Sequence, residues 1–398
     1  MKNTERAWVE IDLDAIAHNL NEIKHFLNPD TQLIGVVKAD AYGHGIVEVS
    51  KIALQNGVSI LAVAFIDEAV QLRKSGITAP VLLLGSTSDA DIDQLFTYNI
   101  TPTVFTEEFA KKLSKRAAVF KTPSKIHIKV DTGMHRIGFL YENAEEEHQN
   151  TVDKILRISQ LPYIEVEGLF THLSTSDKKD TTYTLNQLSR FKKLKEALLS
   201  KGLKIPMCHA ANSAALVRFP EFQQDAVRAG IIMYGMYPSD EVSFQNLNLR
   251  PAMTFKARIV DIKTLSSGCD IGYGRSYTTS APAKIATVSV GYADGYSRLL
   301  SDKTKVLAGG KLVPQVGKIC MDLCMIDVTN VNNINIGDEV TLFGSNGQSH
   351  IPIEDIALAM GTINYEVACM ISKRIPRIYI KNGKPIKSIN YLLPEETV

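Results

Sequence analysis

Leu33-Ile34-Gly35-Val36-Val37-Lys38-Ala39-Asp40-Ala41-Tyr42-Gly43-His44-Gly45 reads as an apolar strand that ends on a lysine. A turn punctuated by glycine follows, and a helical pattern opens at Ile46. Barrel and open-sheet enzymes place their chemistry at the carboxyl ends of buried strands. A lysine there is partly desolvated, which lowers its pKa and frees the amine to condense with a carbonyl. Gly43 and Gly45 let the backbone turn sharply or approach an anionic group closely. The plainer alternative is a lysine that leaves its strand and snorkels to water.

Working outward, an amphipathic helix is expected over 12–28, with Leu13, Ile16, Leu20, Ile23 and Leu27 at helical spacing. Short β-branched runs then recur near 33–38, 60–65, 80–84, 101–105, 125–130, 166–171, 206–210 and 226–231. Helical patterns at 46–56, 67–75, 89–98, 106–117, 143–160, 181–201 and 213–218 separate them. Eight strands alternating with helices over ~220 residues fit a (β/α)8 barrel. A doubly wound open sheet is the rival. The eight units and the lack of GxGxxG after the first strand favour the barrel.

Near 246–250 the character changes. Strand-like runs follow at hairpin spacing (254–264, 283–290, 305–307, 311–316, 320–328 and 339–343), with turns such as Asp294-Gly295 and Asn346-Gly347 between them. A helix over 353–360 and a strand pair at 377–380 and 385–389 close this part. The division expected is a barrel over 1–248 and a mainly β domain over 249–398, a β-barrel or a β-sandwich.

The chain has 398 residues, with 44 basic and 43 acidic side chains. That balance argues against nucleic acid or an anionic membrane surface as the main partner. No run approaches the ~18 apolar residues of a membrane helix, and the start offers no signal-peptide pattern, so a cytoplasmic location is expected. Five scattered cysteines suit reduced thiols. Cys320 and Cys324 have no second Cys/His pair nearby, so no metal site is expected.

Several motifs fall at the expected strand ends: Lys129-Val130-Asp131-Thr132-Gly133-Met134-His135-Arg136, Glu167-Gly168-Leu169-Phe170-Thr171-His172, His209-Ala210-Ala211-Asn212-Ser213 and Val227-Arg228-Ala229-Gly230-Ile231. The second domain adds Gly272-Tyr273-Gly274-Arg275, Val290-Gly291-Tyr292-Ala293-Asp294-Gly295, Cys320-Met321-Asp322 and Thr362-Ile363-Asn364-Tyr365-Glu366. With the Lys38 segment, this ordered set resembles the alanine racemase family over nearly the whole chain. Those are pyridoxal-phosphate enzymes built from a (β/α)8 barrel and a β domain.

The resemblance implies pyridoxal 5'-phosphate held as a Schiff base on Lys38. Lys38 and Tyr273 would be the two bases, for the D- and L-enantiomers of alanine respectively. A phenol with pKa near ~10 is a poor base at neutral pH, and the implied help is a network of Tyr273, His172 and Arg228. Arg228 would face the pyridine nitrogen. As a donor only, it would leave that nitrogen unprotonated and discourage transamination.

Asn212, Ser213, Gly230 and Ile231 would offer a helix cap and backbone donors to the phosphate, joined by Tyr42 and Tyr365. Arg136 and the Met321 N–H would meet the substrate carboxylate, and Lys129 is a lysine carbamylated in some members. Tyr292 would narrow the entrance, with Asp177 and Arg298 further out. The active unit implied is a homodimer with shared sites, supplying D-alanine for peptidoglycan. A racemase of broader range (serine or lysine), or a decarboxylase of the same architecture, is the alternative. The decarboxylase would place a carboxylate at position 228 and a cysteine motif in place of Tyr273.

Read singly, the residues have plainer roles. Tyr273 suits a hairpin aromatic, Arg228 a strand cap, Ser213 a helix cap, and Lys129 an ion pair with Asp131. Asp40 departs from the asparagine that many members carry, and it keeps size and a hydrogen-bonding oxygen.

Overall fold

The computed structural model describes residues 6–142, 144–244, 246–347 and 349–393. The chain divides into two compact units. One comprises Ile16–Ala41 and Ile46–Arg250, and the other comprises the chain up to Ala15, Tyr42–Gly45 and the chain from Pro251.

The first unit is a barrel of parallel strands alternating with helices. Its eight strands are Gln32–Val36, Ile60–Val63, Val81–Leu83, Thr101–Val104, Ser124–Asp131, Ile164–Phe170, Met207–His209 and Ala226–Ala229. They pair in chain order from the first to the seventh, and the eighth pairs with the first. Between the seventh and eighth, Asp225 N–H donates to Cys208 O at 3.2 Å and Arg228 N–H to Ala211 O at 3.0 Å. Those two bonds close the ring. The strands read as continuous apolar runs because barrel interior and helix layer cover both faces. The 89–98 pattern resolves into a 3-10 turn, Asp89–Asp91, and a shorter helix, Ile92–Thr97.

In the second unit the long strand Met253–Leu265 pairs with Ala283–Val288 on one side and Glu339–Asn346 on the other. Cys324–Asp327, Lys311–Val316 and Lys305–Ala308 complete the circuit, so the architecture is a closed antiparallel barrel. Register shifts at Phe255/Lys256 and Ile259/Asp261 let one strand bend between two partners. The strand expected at 320–328 starts only at Cys324, because Cys320 N–H turns back to Leu323 O at 2.8 Å.

The expected division at 248/249 needs two corrections. The break falls at Arg250/Pro251, and the N-terminal strand Ala7–Asp12 belongs to the β unit, antiparallel to Met253–Leu265 and parallel to Arg377–Lys381. Asp12 hides that change of allegiance. Its Oδ1 accepts from Asp14 and Ala15 N–H, capping the helix Leu13–Lys24 directly after the strand.

Tyr42–Gly45 also belongs to the β unit, and its glycines are required there. Gly43 has φ +81°, and a Cβ on it would lie 2.3 Å from Ala368 O. On Gly45, at φ +93°, a Cβ would lie 1.8 Å from the Tyr379 hydroxyl. Gly43→Ala should therefore cost clearly more stability than Gly76→Ala, which shares the left-handed backbone (φ +84°) but faces open space. The control should lose about 1 kcal/mol in urea unfolding, and Gly43→Ala a further ~1–3 kcal/mol. Equal losses would mean that backbone strain alone governs both.

Candidate active site

Lys38 follows the first barrel strand, and the next four residues, Ala39 to Tyr42, all lie in the left-handed region at φ 53–54°. Left-handed backbone costs roughly 1–2 kcal/mol per non-glycine residue, so the surroundings must enforce it. Ala41 N–H donates to Val37 O at 2.9 Å. Ala39 N–H donates to Glu68 Oε1 at 2.5 Å, while Glu68 Oε2 accepts from Ala64 N–H at 2.7 Å. One carboxylate thus ties the turn after the first strand to the end of the second. Asp40 Oδ1 accepts from Ile46 N–H at 2.8 Å; an asparagine would offer the same acceptor oxygen.

Across the barrel ends, Arg228 is buried at 4 % exposure. Its NH1 donates to His209 Nδ1 at 2.6 Å and to His209 O. Its NH2 donates to the carbonyls of Thr171 (2.8 Å) and Ala210 (3.0 Å) and faces His172 Nδ1 at 3.3 Å. Burial, and then the charge of Arg136, bring its pKa down to about 9, so it remains a cation near neutrality. Burial first, and then Arg228, Lys129, Arg136 and Lys38, hold His172 neutral.

Lys129 is 4 % exposed; its Nζ donates to Val130 O at 3.0 Å and lies 5.2 Å from the Phe170 ring centroid. Burial and the neighbouring Arg228 bring it down to about 7 although Asp131 opposes them. The expected ion pair with Asp131 is replaced by another use of that carboxylate. Asp131 Oδ1 accepts from the N–H groups of Gly133, Met134 and His135 at 2.8–3.1 Å, and Oδ2 accepts from Arg136 N–H at 3.1 Å. The loop that carries Arg136, an exposed side chain, is thereby moulded around one anion.

Asn212 Oδ1 caps the helix Ser213–Arg218 through Ala215 N–H at 3.0 Å and accepts from Ser176 Oγ. Gly230 N–H donates to Ser213 Oγ at 2.9 Å. That bond sets Gly230 N–H and the Ser213 hydroxyl side by side. The other donors are the Ser213 hydroxyl hydrogen and the first N–H groups of the helical turns starting at Ser213 and Ile231. Asp177 lies half-buried on the loop before the helix Thr182–Ser200.

The β unit holds the other candidates. Tyr42 and Tyr365 meet with ring centroids 6.1 Å apart, and Tyr365 lies in a helix, Asn364–Cys369, that the sequence reading did not foresee. Burial, then Tyr365 and Cys369, push the Tyr42 phenol up. Tyr292 N–H donates to Cys320 O at 3.0 Å and Ala293 N–H to Met321 O at 3.1 Å, which brings Tyr292 beside Met321. Tyr273 sits between Gly272 and Gly274, both left-handed at φ 72° and 70°, and is 68 % exposed. Met321 is 54 % exposed, and Arg298 is an exposed side chain opening a 3-10 turn.

Sequence reading missed Glu68, His127 and the use of His209. Glu68 accepts from Phe65 N–H at 3.3 Å, half of a capping box, but Phe65 has no side-chain acceptor, so the sequence carried no capping-box signal. Gly168 inside a strand was the signal for a close approach, here by the His127 ring.

Two family models match the chain: the alanine racemase N-terminal domain over residues 11–238 and the C-terminal domain over 252–379. An alanine racemase of Clostridium perfringens is 48% identical over 385 residues, 97% of this chain and 98% of that protein. The solved alanine racemase of Clostridium difficile 630 superposes with a TM-score of 0.92 at 43% identity, covering 98% of this chain and 99% of its own. That of Bacillus anthracis with bound L-Ala-P gives 0.90 at 41% identity, covering 98% of each.

The Asp131 arrangement carries a prediction. Burial raises its pKa, but the N–H donors of Gly133, His135 and Met134 outweigh that and bring it below the usual carboxylate value. The stability it contributes is therefore complete above about pH 4 and fades as pH falls through its lower folded value. Asp131→Asn should cost about 1–3 kcal/mol at pH 7 and flatten the loss of stability on acidification below pH ~4. An unchanged acid limb in urea titrations would show that the carboxylate charge is not what holds the loop.

Proposed function

The chain belongs to the alanine racemase family, isomerases that depend on pyridoxal 5'-phosphate, and from that premise we propose that it interconverts L- and D-alanine by a two-base mechanism, in the cytoplasm, for peptidoglycan. The observation that carries this reading is Arg228. Four of its donor hydrogens are directed at protein acceptors, and none of those acceptors is a carboxylate. Its Nε–H has no acceptor among the described residues, which suits a ligand acceptor such as a pyridine nitrogen. Lys38, the Ser213 hydroxyl and the turn at Ile231 complete a donor set that fits an anionic carbonyl cofactor.

Pyridoxal 5'-phosphate supplies the electron sink that makes an amino-acid Cα–H acidic. The protein's residues do the rest. Lys38 would hold the cofactor, and its amine would take the proton from Cα on one face or return it there. Tyr273 would do the same on the opposite face through its phenol oxygen. Arg228 would meet the ring nitrogen as a donor, while neutral His172 and His209 accept from the same guanidinium. Asn212, Ser213, Gly230, Ile231, Tyr42 and Tyr365 would hold the phosphate, Arg136 and the Met321 N–H would orient the substrate carboxylate, and Tyr292, Asp177 and Arg298 would shape the approach.

Lys129, depressed to about 7, has an amine that is largely uncharged above neutrality. We assign it a carbamate: its nitrogen bonds to the carbon of carbon dioxide, a proton leaves to solvent, and the product anion partners Arg136. The exposure of Tyr273 and Met321 supports a homodimer in which each chain completes the site of the other.

Chiral chromatography after incubation with L-alanine, L-serine, L-lysine and L-arginine should show D-alanine forming far faster than any other product. Comparable D-serine or D-lysine would move the assignment to a broad racemase, and carbon dioxide with an amine would overturn it. Lys38→Ala and Tyr273→Phe should each lose at least ~10²-fold in activity. Mixed under subunit exchange, the pair should regain activity; exchange without recovery would place both bases in one chain. With 13C-bicarbonate at pH 8, the native protein should show a carbamate carbon resonance that Lys129→Arg lacks. The same resonance in the variant would rule out Lys129 as its origin.

A further inference from the structure

A buried chain of side chains leads away from Arg228 and is not used by the two-base reaction. His209 Nδ1 takes the Arg228 NH1 donor at 2.6 Å, and His209 Nε2 lies 2.9 Å from His127 Nδ1. His127 Nε2 faces Glu167 Oε2 at 3.7 Å, and Glu167 Oε1 accepts from Lys125 Nζ at 3.0 Å. Both histidines are buried, His127 at 1 % and His209 at 0 % exposure, while the Glu167 side chain is one-third exposed.

The two ends fix the direction of every proton between them. Arginine can only donate and a carboxylate can only accept. His209 Nδ1 must therefore be unprotonated, so His209 donates from Nε2. His127 then accepts at Nδ1 and carries its proton on Nε2, facing the carboxylate. Arg228 to His209 to His127 is a one-way run of hydrogen-bond donors, and the last N–H faces the Glu167 carboxylate across 3.7 Å as an electrostatic partner.

Three backbone and packing features build it. The fifth and sixth barrel strands pair Ile126 with Val166 and then His127 with Gly168, so Glu167 is an extra residue in its strand. Such a bulge re-aims a side chain. On Gly168, a Cβ would fall 2.4 Å from His127 Nδ1, so only glycine leaves room for the ring. Phe170 stacks on His209 with centroids 4.8 Å apart and planes at 10°, fixing the second ring. The charged groups around the imidazoles are Arg228 and Lys129 on one side and Glu167 with Lys125 on the other. His127 and Lys125 hold the Glu167 carboxyl down at about 2 against partial burial, so the acceptor end stays ionised.

We propose that Glu167 is a positioning residue for Arg228, acting through His127 and His209 to hold the guanidinium in one orientation and both imidazoles in single tautomers. Its functional half rests on the proposed role of Arg228 toward the cofactor ring. Glu167 would then limit the side reaction of transamination, in which the cofactor's aldehyde would be reduced to the pyridoxamine form as it takes alanine's nitrogen, and water would supply the keto oxygen of the pyruvate released.

The test uses holoenzyme with 15N-labelled histidine, as wild type, Glu167→Gln and Glu167→Asp. Long-range 1H–15N spectra of the wild type should show His127 and His209 protonated on Nε2 only. Glu167→Gln should shift or broaden the His209 ring nitrogens and raise pyruvate released per racemisation by about fivefold or more, with KM and the melting temperature little changed. Glu167→Asp, which keeps the charge, should recover most of both.

An Nδ1–H tautomer in the wild type, or unmoved His209 resonances in Glu167→Gln, would overturn the chain. Shifted resonances with an unchanged pyruvate ratio would overturn the positioning role. A wild type that makes no D-alanine would instead sink the racemase reading, and the histidine spectra would still decide the chain.

Discussion

A guanidinium buried in a barrel must find acceptors for its donors or surrender its charge, and Arg228 finds them in carbonyls and neutral imidazoles. The carbonyls of Thr171, His209 and Ala210 lie at the ends of the sixth and seventh strands, so the cation is held by backbone that cannot rearrange without opening the barrel. A contacting carboxylate would hold the charge more tightly, but it would compete for the remaining donor and carry negative charge toward the ligand. Neutral acceptors leave the guanidinium's charge available. Its partners then cannot be cations, and His172 and His209 are both held neutral by burial and by Arg228 itself.

The same economy of anions recurs around the site. Asp131 serves the backbone N–H groups of its own loop, and Glu68 serves those of Ala39 and Ala64. Each carboxylate fixes main chain rather than pairing with a catalytic cation. Lys129 shows the consequence. Its amine donates to the Val130 carbonyl and lies over Phe170, and the Asp131 charge only partly offsets desolvation and the repulsion of Arg228. Depression to about 7 follows.

The barrel was legible because its signals are local and repeated: apolar runs of strand length alternate with helical spacing, and Lys38, Lys129, His209 and Arg228 fall at strand ends. The β unit was legible as hairpins but not as a closed barrel, since closure depends on Met253–Leu265 pairing with two partners far apart in sequence. Ala7–Asp12 was lost for a related reason. Its partners are Met253–Leu265 and Arg377–Lys381, and no local pattern announces a strand whose sheet lies at the other end of the chain. Motifs also named residues without their uses. His209 stood in a quoted motif, yet its bond to His127 depends on a bulge at Glu167 that appears only when the strands are paired.

Both proposed bases adjoin left-handed backbone. Lys38 precedes four left-handed residues, and Tyr273 is flanked by Gly272 and Gly274 with left-handed Arg275 after them. Ordinary strand or helix backbone would carry a side chain on into the next regular element. A left-handed turn reverses direction within a few residues and leaves the preceding side chain at the edge of its unit. At Tyr273 glycine makes the geometry inexpensive, and Gly274 has open space where a Cβ would go. After Lys38 the turn is built from alanine, aspartate and tyrosine, so its strain must be offset by neighbours. The Glu68 and Asp40 bonds do that within the barrel unit. In the β unit, the tight seats of Gly43 and Gly45 against Ala368 and Tyr379 do the same. Hydrogen bonds and close packing thus hold the turn that follows the lysine. A base that must take a proton from one face of a carbon atom and return it there needs that kind of anchorage more than it needs low backbone strain.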